Sequence, residues 1–117
     1  MVSYIITMDN TYALMSNFLG FLLPFVKPDD EIIIVCDGCD SIVAMDYLES
    51  IAKADSRIHL LKIKEKRGFA KANNLAVSMA MSETLIFINT DVFPTEKCID
   101  NLLYMLNHHF HFLADTL

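Results

Sequence analysis

Tryptophan is absent from this chain of 117 residues, and glycine, proline and cysteine number three each. So little glycine and proline, beside a hydrophobic fraction of 54%, excludes a disordered, collagen-like or linker-type chain. Basic residues are scarce: nine Lys and Arg against fifteen Asp and Glu leave a net charge of -6. That balance excludes general nucleic-acid binding, because a phosphate backbone needs a basic surface. Three cysteines do not build a disulfide scaffold, and an odd count leaves one unpaired, so a reducing compartment is expected. The opening MVSYIITMDN lacks the basic start of a secretion signal. The longest apolar run, Phe18 to Val26, is interrupted by Gly20 and Pro24 and falls far short of the ~18–20 residues of a membrane span. These absences leave one soluble, cytoplasmic domain, large enough to bury a single core.

What is present is a regular switching of hydrophobic period. Residues 2–8 (VSYIITM) are rich in strand formers. Residues 11–25 carry Leu14, Phe18, Phe21, Leu22 and Phe25 at helical spacing, closed by Pro24 and Pro28. Residues 31–36 (EIIIVC) form the continuous apolar run of a strand covered on both faces. Asp40 or Ser41 is placed to cap a helix in which Ile42, Met45, Leu48, Ile51 and Ala52 share one face. A third strand is expected at 57–63 (RIHLLKI). A third helix follows the charged loop KEKRG, marked by Phe69, Asn73, Ala76, Val77 and Ala80. A fourth strand is expected at 84–88 (TLIFI), and a last helix from Pro94 or Thr95 through Leu106. Alternation of this kind predicts an α/β fold of three layers, α/β/α, around a mainly parallel sheet. Such sheets bind ligands beyond the carboxyl ends of their strands. Those ends hold Thr7-Met8-Asp9-Asn10, Cys36-Asp37-Gly38, Lys64 to Gly68 and Asn89-Thr90-Asp91.

Each of these groups has a bland reading beside a functional one. Asp37 suits a hydrogen bond to a base or ribose, but Asp is also common in turns and helix caps. Asn89 and Asp91 stand at i and i+2, on one side of an extended chain, and oxygen ligands suit Mg²⁺, yet a lone N-x-D is also a common turn. Six of the nine basic residues lie between 57 and 71: Arg57, Lys62, Lys64, Lys66, Arg67 and Lys71. A basic loop in an acidic chain favours an anionic ligand. Lys62 and Lys64 read as a solvated strand end, and Arg67 and Lys71 as the better binding candidates, since Arg67-Gly68 precedes a helix start that favours phosphate. Cys36 and Cys39 form a CxxC between strand and helix, the placement of a thiol oxidoreductase. Against that, Cys36 ends a strand instead of opening a helix, and there is no second pair for a zinc site. His108, His109 and His111 read as part of a terminal helix.

Four segments together resemble the donor-binding, N-terminal half of the family-2 glycosyltransferases, which have the GT-A fold. Residues 2–7 (VSYIIT) look like the family's opening strand VSIIIPTYN, with Thr7 for its Pro, Asp9 for its Tyr and Asn10 matching. Residues 31–38 (EIIIVCDG) are similar to EIIVVDDGS, with Asp37 on the second Asp. Residues 67–74 (RGFAKANN) are similar to GFGxANN, and 85–91 (LIFINTD) to the strand ending in the metal-binding DxD. The N-x-D form is similar to a rhamnosyltransferase-like branch. The resemblance implies nucleotide contacts from Thr7, Asp37, Arg67 and Asn89, and Mg²⁺ or Mn²⁺ on Asp91. It implies a UDP- or TDP-type nucleotide-diphospho-sugar as donor and a saccharide or lipid-linked acceptor, as in cell-envelope polysaccharide synthesis. The reaction implied is an inverting, metal-dependent transfer to a hydroxyl, in the cytoplasm or at the inner face of the membrane. The family's acceptor half and general base have no counterpart in residues 1–117, so the catalytic base is unknown. A non-catalytic nucleotide-binding module is the first alternative and the CxxC oxidoreductase the second. Two further expectations concern the isolated chain: Asp37→Ala leaves folding little changed, and Phe18, Phe21, Leu22, Leu23 and Phe25 drive homo-oligomerisation, with Phe110–Leu113 as another contact.

Overall fold

The computed structural model describes residues 1–8 and 12–89. The last expected helix, Asp91, Cys98, the histidines at 108–111 and the Phe110–Leu113 region lie outside the described residues. Four strands, β1 (Ser3–Met8), β2 (Glu31–Asp37), β3 (Ile58–Ile63) and β4 (Leu85–Asn89), alternate with three helices, α1 (Tyr12–Leu22), α2 (Ile42–Ala54) and α3 (Phe69–Met79). All strand pairs are parallel and the order across the sheet is β3-β2-β1-β4. The chain thus steps outward from β1 to β3, then returns to the other side of β1. The crevice where that order reverses, at the carboxyl ends, is where open α/β sheets take ligands.

The alternating side chains of each strand sort the core into two layers. Tyr4, Ile6 and Met8 of β1 and Ile32, Ile34 and Cys36 of β2 pack with Met15, Phe18, Leu19 and Leu22 of α1 and Leu48 of α2. Ile5, Ile33, Val35 and Ile63 face the other way and pack on Ala72 and Ala76 of α3. The expected three-layer α/β/α architecture is therefore the observed one, with α1 and α2 on one face and α3 on the other. No helix among the described residues is long and apolar enough to cross a membrane.

Helix faces depart from the expected ones in detail. In α1 the buried stripe is Met15, Phe18, Leu19 and Leu22, at i, i+3, i+4 and i+7, which turns Phe21 out to 54% exposure. A 3-10 turn (Leu23–Phe25) with Pro24 in its first positions then lays Leu23 and Phe25 against the core. The apolar excess assigned to 18–25 is therefore mostly absorbed within the chain. In α2 Ser41, not Asp40, is the N-cap, accepting a hydrogen bond from the Ala44 N–H at 3.3 Å, and Ile42 at the first helical position projects to solvent. In α3 the buried residues are Ala72, Asn73 and Ala76, so Phe69 and Val77 are exposed instead of buried.

Candidate functional site

The carboxyl ends of β1 and β2 and the start of α3 enclose a cavity of about 180 Å³ lined by Thr7, Met8, Asp37, Lys66 and Phe69. Period-2 alternation brings two of these together: Thr7 follows Ile5 and Asp37 follows Val35, so both point to the α3 side of the sheet. Asp37 is 4% exposed, and each of its oxygens accepts a main-chain N–H: Arg67 at 2.8 Å and Gly68 at 3.1 Å. The reason is local. Gly68, the N-cap of α3, has a φ of +93° that favours glycine and no capping side chain. Asp37 supplies the missing acceptor from across the sheet and sets a negative charge at the positive end of the helix. Asp37 thus ties the β3–α3 loop to the end of β2, so its removal is now expected to cost folding stability instead of leaving it little changed.

The Thr7 hydroxyl donates to Asn73 Oδ1 at 2.6 Å, which ties the end of β1 to α3. Asn73 is 9% exposed. Gly38, with φ of +78°, lets β2 turn directly beneath the loop; a Cβ there would lie 3.0 Å from Lys66 Cβ. Gly38 and Cys39 both donate main-chain N–H bonds to the Ile63 carbonyl, which locks the ends of β2 and β3 together.

The predicted residues therefore fare differently. Thr7 and Asp37 line one cavity. Asn89, the last residue of β4, is the register partner of Thr7, so the backbone brings it to the same end of the sheet. Arg67 contributes its main-chain N–H to Asp37 and does not line the cavity, nor does Lys71; the cation that does is Lys66. Lys62 pairs with Glu49 at 2.6 Å, the solvated role expected of it, and that contact holds the Glu49 carboxyl below its ordinary value. Asp91 lies outside the described residues. Among the described residues no group of three or more His, Cys, Asp or Glu gathers for a metal, and the two oxygens of Asp37 are already engaged by N–H donors.

Sequence reasoning placed Met8 and Lys66 at the ligand-binding strand ends without assigning either a contact, and missed Phe69 as a cavity residue and Asn73 as the partner of Thr7. The signal available for Asn73 was an amide on the sheet-facing side of a helix, which needs a polar partner when buried.

Cys36 and Cys39 lie side by side, with Cα atoms 5.4 Å apart. Cys36 has no exposure and Cys39 only 8%. An oxidoreductase presents its attacking thiol to a partner, and this pair presents neither.

A parallel α/β sheet with a polar cavity at its strand ends, beside the point where strand order reverses, is the layout of a nucleotide-binding domain. The chain belongs to glycosyl transferase family 2, whose family profile matches residues 3–115. It is 31% identical over 91 residues to a protein of Bacillus subtilis named as a teichuronic acid biosynthesis glycosyltransferase, TuaG, covering 78% of this chain and 36% of that protein. It is 24% identical over 102 residues to the glycosyltransferase GlyG of Streptococcus pneumoniae, covering 87% of this chain and 34% of that one. The chain thus spans about a third of the length of these relatives. Among solved structures, the mannosyltransferase PcManGT from Pyrobaculum calidifontis, in complex with GDP-Man and Mn²⁺, superposes with a TM-score of 0.77 at 22% identity, over 90% of this chain and 32% of its own. S. aureus TarS 1-349 in complex with UDP-GlcNAc gives 0.73 at 16% identity, over 93% and 32%. The fold is that of the GT-A glycosyltransferases.

Proposed function

We propose that these residues form the donor-binding part of a glycosyltransferase that moves a sugar from a nucleotide-diphospho-sugar to an acceptor hydroxyl. The observation that carries this reading is the cavity itself: in a family-2 chain, Thr7, Asp37, Lys66 and Phe69 converge at the carboxyl ends of the sheet. Thr7 and the remaining lone pairs of Asp37 take the polar edge of a UDP- or TDP-type nucleoside, with Asn89 beside Thr7. Lys66 replaces Arg67 as the side chain offered to the diphosphate, because it alone of the described cations lines the cavity. Asp91, two residues past the end of β4, would hold Mg²⁺ or Mn²⁺, which neutralises charge on the departing nucleoside diphosphate. A neighbour of the same fold binds Mn²⁺ together with its sugar nucleotide, which supports a divalent ion here. The transfer is read as inverting, to a saccharide or lipid-linked acceptor, in the cytoplasm or at the inner face of the membrane.

The Asn89-Thr90-Asp91 triplet supports a rhamnosyltransferase-like branch. Self-association is part of the proposal, through the exposed apolar side chains at the start of α2, Ile42 and Val43, and at and just past the end of α3, Met79 and Met81. Calorimetric titration with UDP, TDP and GDP tests the donor reading: UDP or TDP binds most tightly and GDP more weakly. No heat from any of the three contradicts it. Sedimentation as a monomer at micromolar concentration contradicts the assembly.

A further inference from the structure

We propose that Phe69 is the stacking platform for the nucleobase of the donor. This inference rests on the donor-binding reading and adds a residue whose sequence signal pointed to the core. Phe69 is the first residue of α3 and is 60% exposed, although its helix turns Ala72, Asn73 and Ala76 into the sheet. Phe69 lines the cavity beside Thr7, Met8, Asp37 and Lys66. Of the two apolar residues that line it among the described residues, Met8 is 6% exposed and Phe69 60%, so Phe69 offers the more accessible apolar surface.

The ring stands on a preorganised base. The two main-chain amides just before it, Arg67 and Gly68, are held by Asp37, and the Ala72 N–H closes the first turn onto the Gly68 carbonyl at 3.0 Å. Little ordering is therefore required when a flat ligand arrives, which favours affinity. The lining divides the work by chemistry. Hydroxyl and carboxylate groups read hydrogen-bonding edges, the ammonium of Lys66 meets phosphate, and the phenyl ring meets the π-face that every base presents. Stacking on an aromatic ring tolerates any base, so Phe69 supplies affinity without base choice.

The test is calorimetry in Mn²⁺ with wild type, Phe69→Ala, Phe69→Leu and Phe69→Trp, titrated with UDP, TDP, GDP and inorganic pyrophosphate. The exposed position lets each variant fold. Phe69→Ala and Phe69→Leu are expected to weaken all nucleotides about tenfold, the scale of base–aromatic stacking, and to leave pyrophosphate binding unchanged. Phe69→Trp keeps nucleotide affinity. Because the chain has no other tryptophan, its indole emission reports stacking directly and is quenched by UDP. Wild-type affinity in both Phe69→Ala and Phe69→Leu, an equal loss for pyrophosphate, or an indole that stays silent while UDP binds each overturns the assignment of Phe69 and leaves the donor reading standing. A wild type that binds no nucleotide overturns both.

Discussion

Asp37 does two jobs with one carboxylate. It faces the cavity, and it accepts the N–H groups of Arg67 and Gly68 that α3 leaves without a cap. Hydrogen bonds to a charged acceptor contribute about 1.5–3 kcal/mol. Asp37→Ala is therefore expected to lower the unfolding free energy by about 1.5–3 kcal/mol in urea and to weaken nucleotide binding by a comparable amount. Asp37→Asn, which keeps one acceptor oxygen, falls between. A variant as stable as wild type would show that the loop does not lean on Asp37. The position of Asp37 at the cavity was legible from a charged residue closing a buried strand; its bonds were not, because the partners are main-chain amides 30 and 31 residues on. The choice between Lys66 and Arg67 was equally hidden. Both are exposed neighbours in an irregular loop, and which one turns to the cavity depends on the turns at Gly38 and Gly68.

The strands were the most legible elements, because runs such as EIIIVC admit few other structures, and β2 is buried along its whole length. Helix faces were less so. Phe69 and Ile42 sit in first turns, beyond the reach of the sheet, and hydrophobicity alone does not reveal that. The joint between α2 and β3 was not foreseen at all. Asp55 ends α2, and Arg57 grips it with Nε at 2.9 Å and Nη2 at 2.6 Å, while Nη1 donates to the Val26 carbonyl at 2.7 Å. One ion pair thus joins the end of a helix, the start of a strand and the 3-10 turn. The hydrogen bond from Arg57 holds the Asp55 carboxyl below its ordinary value of 3.8 and raises the guanidinium above its own. A depressed carboxyl contributes stability that is fully present above 3.8 and is lost as pH falls through the folded-state value. Asp55→Asn should therefore be less stable than wild type at neutral pH, and the two denaturation midpoints should converge in acid below that value. A gap that stays constant from pH 7 into acid would assign the loss to something other than the charge.

At the scale of the molecule, a net charge of -6 would meet, in the proposed donor, a ligand that brings two or three more negative charges. At ~4 Å a like-charge contact costs about 4 kcal/mol at an effective dielectric of 20. Lys66 in the cavity offsets part of this, and the N–H donors on Asp37 soften another part. Neither would reverse the sign of a contact between a diphosphate and Asp91; Asp91 would hold a divalent ion, whose positive charge would do so. The α/β/α layers and the place of the crevice were legible from alternation alone. The metal end was legible only as the N-x-D triplet, whose Asp91 lies outside the described residues. The central claim, a metal-assisted nucleotide-sugar site, is tested most directly by a four-way titration with UDP and TDP: wild type and Asp91→Asn, each with Mn²⁺ and each with chelator. The account predicts that Mn²⁺ markedly strengthens nucleotide binding by the wild type. It predicts that Asp91→Asn loses most of that gain, and that without metal it binds as well as wild type or better, having shed one negative charge. An equal effect of Mn²⁺ on both proteins would contradict it.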